Sequence, residues 1–169
     1  MMGAQESQSL EPVDFGVQDG AAPGTLRLAI DNLEQVMKQM VDQQITIEPK
    51  HYFAAGLYAR EITIPAGTTL TGKIHKFEHI NIISKGDISV LTENGIQRIK
   101  APATIISKPG TKRVGFAHEE TVWTTLHAVS DDAEGNPEIA EQALVVDTSE
   151  QFKEWEQLEM QKLISLWEA

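Results

Sequence analysis

Leu26, Ile30, Leu33, Met37 and Met40 recur along "TLRLAIDNLEQVMKQMVDQQ" at alternating spacings of four and three, and Val36 and Val41 widen the stripe. That period predicts an amphipathic helix over residues 25–44, close to heptad register. Under three heptads long, it is too short for an independent coiled coil, so it is expected to pack on the domain or on a symmetry mate. From Leu57 to about Val129 the period changes to two. Short runs, "LYAREITI", "GDISVLT", "IQRIK", "ATIIS" and "TVWTTLHAV", are cut by turn residues, and Asn94-Gly95 is a hairpin signal. Strands this evenly spaced, with no helix between them, predict an antiparallel jelly roll or barrel. "SDDAEGNPE" reads as an acidic loop, followed by one more strand-like run, "ALVV". Helical period returns from Ser149: Phe152, Trp155, Leu163 and Leu166 share a face, and Thr148 with Gln151 has capping-box spacing. Residues 1–24 hold few apolar anchors and read as a flexible arm. The predicted organisation is an arm (1–24), a helix (25–44), a mainly β domain (50–147) and a C-terminal helix (148–169).

Composition narrows the function classes. At 169 residues the chain suits one domain with appendages. The absence of cysteine removes disulfides, thiolate nucleophiles and Cys-type zinc sites. No apolar run reaches the twenty or so residues of a membrane span, and the N-terminus lacks a secretory pattern, so a cytoplasmic protein is expected. A net charge of −11 argues against nonspecific nucleic-acid or anionic-membrane binding over the whole surface. The charge is uneven, however. Residues 71–113 hold eight basic residues against three acidic ones, a net of +5, which leaves −16 on the remainder. Such a region suits an anionic ligand, self-association with the acidic part, or lysines merely scattered on solvated strand faces.

Two stretches carry the chemistry. "PAGTTLTGKIHKFEHINIISKG" and "ISKPGTKRVGFAHEETVW" resemble the two motifs of the cupin superfamily, over roughly residues 57–130. The resemblance implies a cupin-type antiparallel jelly-roll barrel, here flanked by an N-terminal and a C-terminal helix, and often dimeric. In metal-binding members of that family, three histidines and a glutamate hold one divalent ion inside the barrel. Working back from Gly86, His79 stands at the glutamate position, His75 at the second histidine and Lys73 at the first; Arg113 replaces the histidine of the second motif. Half the ligand set has become cationic. A charged lysine or guanidinium in the first coordination shell repels a metal.

Lys73, His75, Phe77 and His79 share a face if the segment is extended. With Arg113 and Trp123 they form the expected ligand pocket, Arg113 offering a bidentate fork and Lys73 a point charge. For Phe77 core filling is the favoured reading over ligand stacking, and Trp123 has the same two readings. The expected occupant is a small anionic or nucleotide-like ligand, with no cofactor. The alternative is a divalent transition metal held by His75 and His79, with His118 or His127 as third ligand, in a metal-dependent cupin enzyme. The same motifs look similar to small cupin-like proteins encoded by tailed bacteriophages. That resemblance implies a host-cytoplasmic or virion protein, and a third function: a virion component or host-factor binder using the N-terminal arm. Homo-oligomerisation is expected under all three.

Overall fold

The structure, a computed structural model, describes residues 23–133 and 135–167. In chain order it contains helix α1 (Pro23–Gln39); strands β1 (Lys50–Ala54), β2 (Leu57–Ile64), β3 (Thr69–Thr71), β4 (Ile74–His75), β5 (His79–Lys85) and β6 (Asp87–Thr92); strands β7 (Gly95–Lys100), β8 (Ala103–Ser107), β9 (Val114–Ala117) and β10 (Thr121–Ala128); helix α2 (Pro137–Leu144); strand β11 (Val145–Val146); and helix α3 (Ser149–Trp167). The arm expected at 1–24 lies outside the described residues as far as residue 22.

Glu93 and Asn94 make the turn between β6 and β7, and Gly95 follows at φ 107°, where a side chain would be strained. From this tip the antiparallel pairing nests outward: β6 with β7, β5 with β8, β3 with β9, β2 with β10. One long hairpin is thus wound on itself, and the winding adds the pairs β10–β5 and β6–β9. The outcome is two main sheets, β1-β2-β10-β5-β8 and β3-β9-β6-β7, with β4 and β11 paired as a separate two-stranded sheet. This is the strand order of a jelly roll, as the sequence predicted. The two sheets face each other without a continuous ladder, so the expected barrel is a two-sheet sandwich in its hydrogen bonding.

Alternation decides what lies between the sheets. Ile64, Ile83 and Trp123 from one sheet meet Ile88, Val90, Ile99 and Ala117 from the other in a single cluster. Gly86 joins β5 to β6 at φ 97°, and a Cβ there would sit 2.4 Å from the Glu120 carbonyl oxygen. The glycine that closes the first motif therefore serves a close backbone crossing.

The first half of the α1 stripe docks on this sandwich: Leu26 and Ile30 are buried against Leu91 and Val114, with Leu33 beside them. Glu34 latches the helix, accepting from buried Lys112 at 2.8 Å and from Thr71 at 3.0 Å. Val36, Met40 and Val41 stay exposed. The helix ends at Gln39, short of the expected residue 44, with a 3-10 turn at Val41–Gln43 after it.

The segment after β10 corrects the sequence reading. What was expected as an acidic loop and a strand contains α2, with only Val145–Val146 extended. Asn136 caps α2, accepting from the amides of Glu138 and Ile139, and Pro137 supplies the first turn. Those two residues were the available signal. Ahead of α3 the expected capping box forms: the Gln151 side chain accepts from the amides of Asp147 and Thr148, and Thr148 Oγ1 accepts from the Gln151 amide. Phe152 and Trp155 pack partly on the domain, but Leu163 and Leu166 are exposed, so the face read as one continuous stripe is covered only at its start. Among the described residues no helix is long and apolar enough to cross a membrane.

Candidate functional site

A cavity of about 370 Å³ opens between the sheets, a size typical of small-molecule sites. Period two builds most of its wall: Tyr58, Arg60, Ile62 and Ile64 of β2 all point in, as do Trp123, Thr125 and His127 of β10 and Ile88 and Val90 of β6. Leu144, Val145 and Glu141, from α2 and β11, close one side of the mouth.

His75, His79 and His127 come together against this wall, with three ring nitrogens lying within 4.8 Å of one another. β4 and β5 bring the first two and β10 the third. The rings stack, with centroids 4.1 Å apart for His75–His79, 4.8 Å for His75–His127 and 4.6 Å for His79–His127. His75 Nδ1 and His127 Nε2 share a hydrogen bond of 2.8 Å. His79 Nδ1 lies 3.0 Å from the Phe77 carbonyl oxygen, which can only accept, so the proton sits on Nδ1 and Nε2 carries a lone pair. That Nε2 is buried and has no partner among the described residues. Burial keeps all three imidazoles neutral. Desolvation, reinforced by the neighbouring rings and Arg113, holds His75 at about 2, and desolvation with His79 beside it holds His127 at about 3. His79 is also lowered, mainly by burial.

Arg113 shares this wall. Its Nη2 donates to Ser107 Oγ, and its guanidinium carbon lies 5.8 Å from the centre of the Trp123 ring. A buried chain of hydrogen bonds fixes that floor: Asn81 Nδ2 donates to Ser107 Oγ at 2.8 Å, and Trp123 Nε1 and Thr125 Oγ1 donate to Asn81 Oδ1 at 2.9 and 3.2 Å. Burial lowers the Arg113 guanidinium to about 10, against the pull of Glu93, so it stays charged at neutral pH.

The basic stretch of residues 71–113 looks different once folded. Six of its eight cations are paired with carboxylates: Lys73 with Glu141 and Asp147, Lys85 with Glu120, Arg98 and Lys100 with Asp87, Lys108 with Glu78, and Lys112 with Glu34. Lys76 donates to the Gln142 carbonyl oxygen at 2.9 Å. Arg113 is the exception. Among the described residues it has a hydroxyl and an aromatic face, and no carboxylate within ion-pair distance.

The other site residues named from the sequence fall in different places. Lys73 reaches only the mouth, where its exposed ammonium lies 3.7 Å from Glu141 and 3.8 Å from Asp147. Phe77 leaves the shared face, because the chain bends at Lys76 and Phe77 between β4 and β5. The Phe77 ring instead meets Trp155 of α3 edge-on at 5.3 Å and fills neither cavity nor core. His118 hydrogen-bonds Ser89 Oγ at 2.7 Å, and Ser89 alternates with the cavity residues Ile88 and Val90, so His118 lies on the outer side of the sheet. His127, not His118, is the third histidine of the cluster. Arg60 went unnoticed in the sequence, although its parity with Tyr58, Ile62 and Ile64 pointed it inward. Its Nε lies 3.2 Å from Glu141 Oε1, near enough for an ion pair but not aligned as a hydrogen bond.

No family model matches the chain, and no curated protein sequence matches it. Solved structures similar to it include KdgF from Halomonas sp., 18% identical with a TM-score of 0.44, covering 53% of this chain and 87% of that one. A cupin-2 domain containing protein from Shewanella frigidimarina is 8% identical with a TM-score of 0.43, covering 56% of this chain and 92% of that one. The cupin domain of Cnp3 from Schizosaccharomyces pombe is 18% identical with a TM-score of 0.43, covering 52% of this chain and 67% of that one. The last two are cupin domain proteins by name, the group that the two sequence motifs resemble. The jelly roll itself rests on the strand order given above.

Proposed function

We propose that this chain is a binding module whose inter-sheet cavity takes a small anion at Arg113. One observation carries the reading: seven of the eight basic residues between 71 and 113 have an anionic or carbonyl partner among the described residues, and Arg113, half-buried in the cavity wall, has neither within bonding distance. A partly desolvated charge with only the distant pull of Glu93 is costly, and a ligand anion would supply the missing close partner through a charge-assisted, bidentate contact. The histidines beside it are neutral, so they neither compete with the guanidinium for an anion nor repel one. A thermal-shift panel of carboxylates, sugar phosphates and nucleotides at fixed ionic strength tests this. At a hundredfold excess over Kd, a true ligand stabilises by about 2.7 kcal/mol, a shift of several degrees for a domain of this size. The reading ends if no anion shifts the parent protein more than it shifts Arg113→Ala.

The unpartnered Nε2 of His79 favours a second reading, a divalent transition metal on His75, His79 and His127. Three neutral imidazoles, one oriented by a backbone carbonyl, are a suitable donor set that leaves positions open; the nearby guanidinium opposes it. On this reading the purified protein carries close to one equivalent of zinc, iron or manganese by elemental analysis, and His79→Gln loses it. Under a tenth of an equivalent, with no uptake on reconstitution, removes the metal.

A further inference from the structure

The cavity also restricts what kind of anion fits, if the anion-binding reading above holds. Most of its neutral polar side chains are already engaged within the protein. Tyr58 OH shares a 2.7 Å hydrogen bond with His51 Nδ1, and Thr71 donates to Glu34 at 3.0 Å. Trp123 and Thr125 both serve Asn81, and His75 and His127 serve each other. The mouth cations Arg60 and Lys73 sit against Glu141. A sugar or a nucleobase entering this space would have to give up hydration at every hydroxyl and ring nitrogen with little to replace it. What remains unsatisfied is one charged group, the Arg113 guanidinium, and two buried ring nitrogens, His79 Nε2 and His127 Nδ1; the rest of the wall is largely aliphatic, with Ile62, Ile64, Leu70, Ile88 and Val90 meeting across the two sheets.

We infer that the ligand class is a monocarboxylate with an apolar body: a linear, branched or aromatic acid whose carboxylate pairs with Arg113 and whose hydrocarbon lies among the isoleucines. Charge selects carboxylate over phosphate. A phosphate monoester brings close to two negative charges to a wall with one unpaired cation, whereas a carboxylate brings one, in the planar geometry a guanidinium fork matches. Size selects a compact body, since about 370 Å³ lies near the lower end of ligand cavities. The ring of Trp123, below the guanidinium, gives an aromatic acid an apolar surface next to its head group.

Isothermal titration of the full chain with acetate, butyrate, hexanoate, octanoate and 4-phenylbutyrate tests the class, with hexanol, glucose 6-phosphate and AMP as comparisons. Affinity is expected to rise by about fourfold per methylene until the cavity is full, with hexanol at least tenfold weaker than hexanoate. In Arg113→Met the carboxylate and the alcohol become equal. In Val90→Phe, which narrows the chamber and leaves the guanidinium in place, the gain stops at a shorter chain. If glucose 6-phosphate or AMP binds through Arg113 while hexanoate and octanoate do not, the carboxylate class is overturned and the anion site stands. A panel in which Arg113→Met changes nothing overturns both.

Discussion

Arg113→Met is expected to give a protein that unfolds less readily than the parent when no ligand is present, and that no longer responds to anions. The Arg113 side chain is half-buried, has no carboxylate within ion-pair distance among the described residues, and is already less basic than usual, at about 10, because of desolvation. Replacing such a charge with an apolar chain of similar shape removes a desolvation cost, for a gain of about 1–3 kcal/mol. Little is orphaned by the change. Ser107 Oγ keeps its hydrogen bond from Asn81, and the shorter side chain borders an existing cavity and seals no new void. Urea unfolding without added anions measures the difference. A loss of stability of 2 kcal/mol or more would mean that Arg113 is a structural residue whose removal breaks packing. The opposing signs are the signature of a functional charge: a stability gain in the free protein and a loss of ligand response.

The second large effect concerns acid. His75 and His127 have folded values of about 2 and about 3, against roughly 6.5 when unfolded. Between those limits the unfolded chain takes up protons that the folded chain refuses, so stability falls as pH falls, by about 1.4 kcal/mol per pH unit for each histidine. From pH 6.5 to 5 the two together remove roughly 3 kcal/mol, a large part of the 5–15 kcal/mol of an ordinary domain. The contribution is fully present above the unfolded value and is lost as pH drops below it. Below about pH 4 the lowered carboxyls of Asp87 and Glu34 add a loss in the same direction. Urea midpoints from pH 7.5 to 4.5 should therefore decline steeply below 6.5, and the double variant His75→Gln/His127→Gln should flatten the decline. Equal stability at pH 7 and pH 5 would contradict the buried neutral cluster. A bound metal would steepen the same window, because protons compete for its ligands, and a chelator at pH 7 separates the two causes.

The fold was legible because its elements carry local signals. Alternation marked the strands, Asn94-Gly95 marked the hairpin tip, and Thr148 with Gln151 marked the start of α3. α2 was missed because it is short and acidic and runs directly into Val145–Val146, although Asn136-Pro137 announced it. The site was half legible. His75, His79 and Arg113 were named from motif spacing, Trp123 as an aromatic of either pocket or core, and His127 was one of two candidates for a third histidine. Phe77 was misplaced because strand parity was carried across Lys76 and Phe77, where the backbone bends and parity fails. Arg60 was overlooked although parity within β2 held throughout.

The sequence alone marked the alternating strands and the hairpin tip of an antiparallel jelly roll, because a strand's two-residue period and a tight turn are properties of neighbouring residues. It also placed a cluster of cations in one stretch of chain. Only the tertiary structure decided which of those cations matters. Whether a charge is neutralised depends on carboxylates brought from afar, such as Glu34 of α1 for Lys112 and Glu141 of α2 for Lys73. An ion pair is a relation in space, so the guanidinium left without one is found only when every other charge has its coordinates.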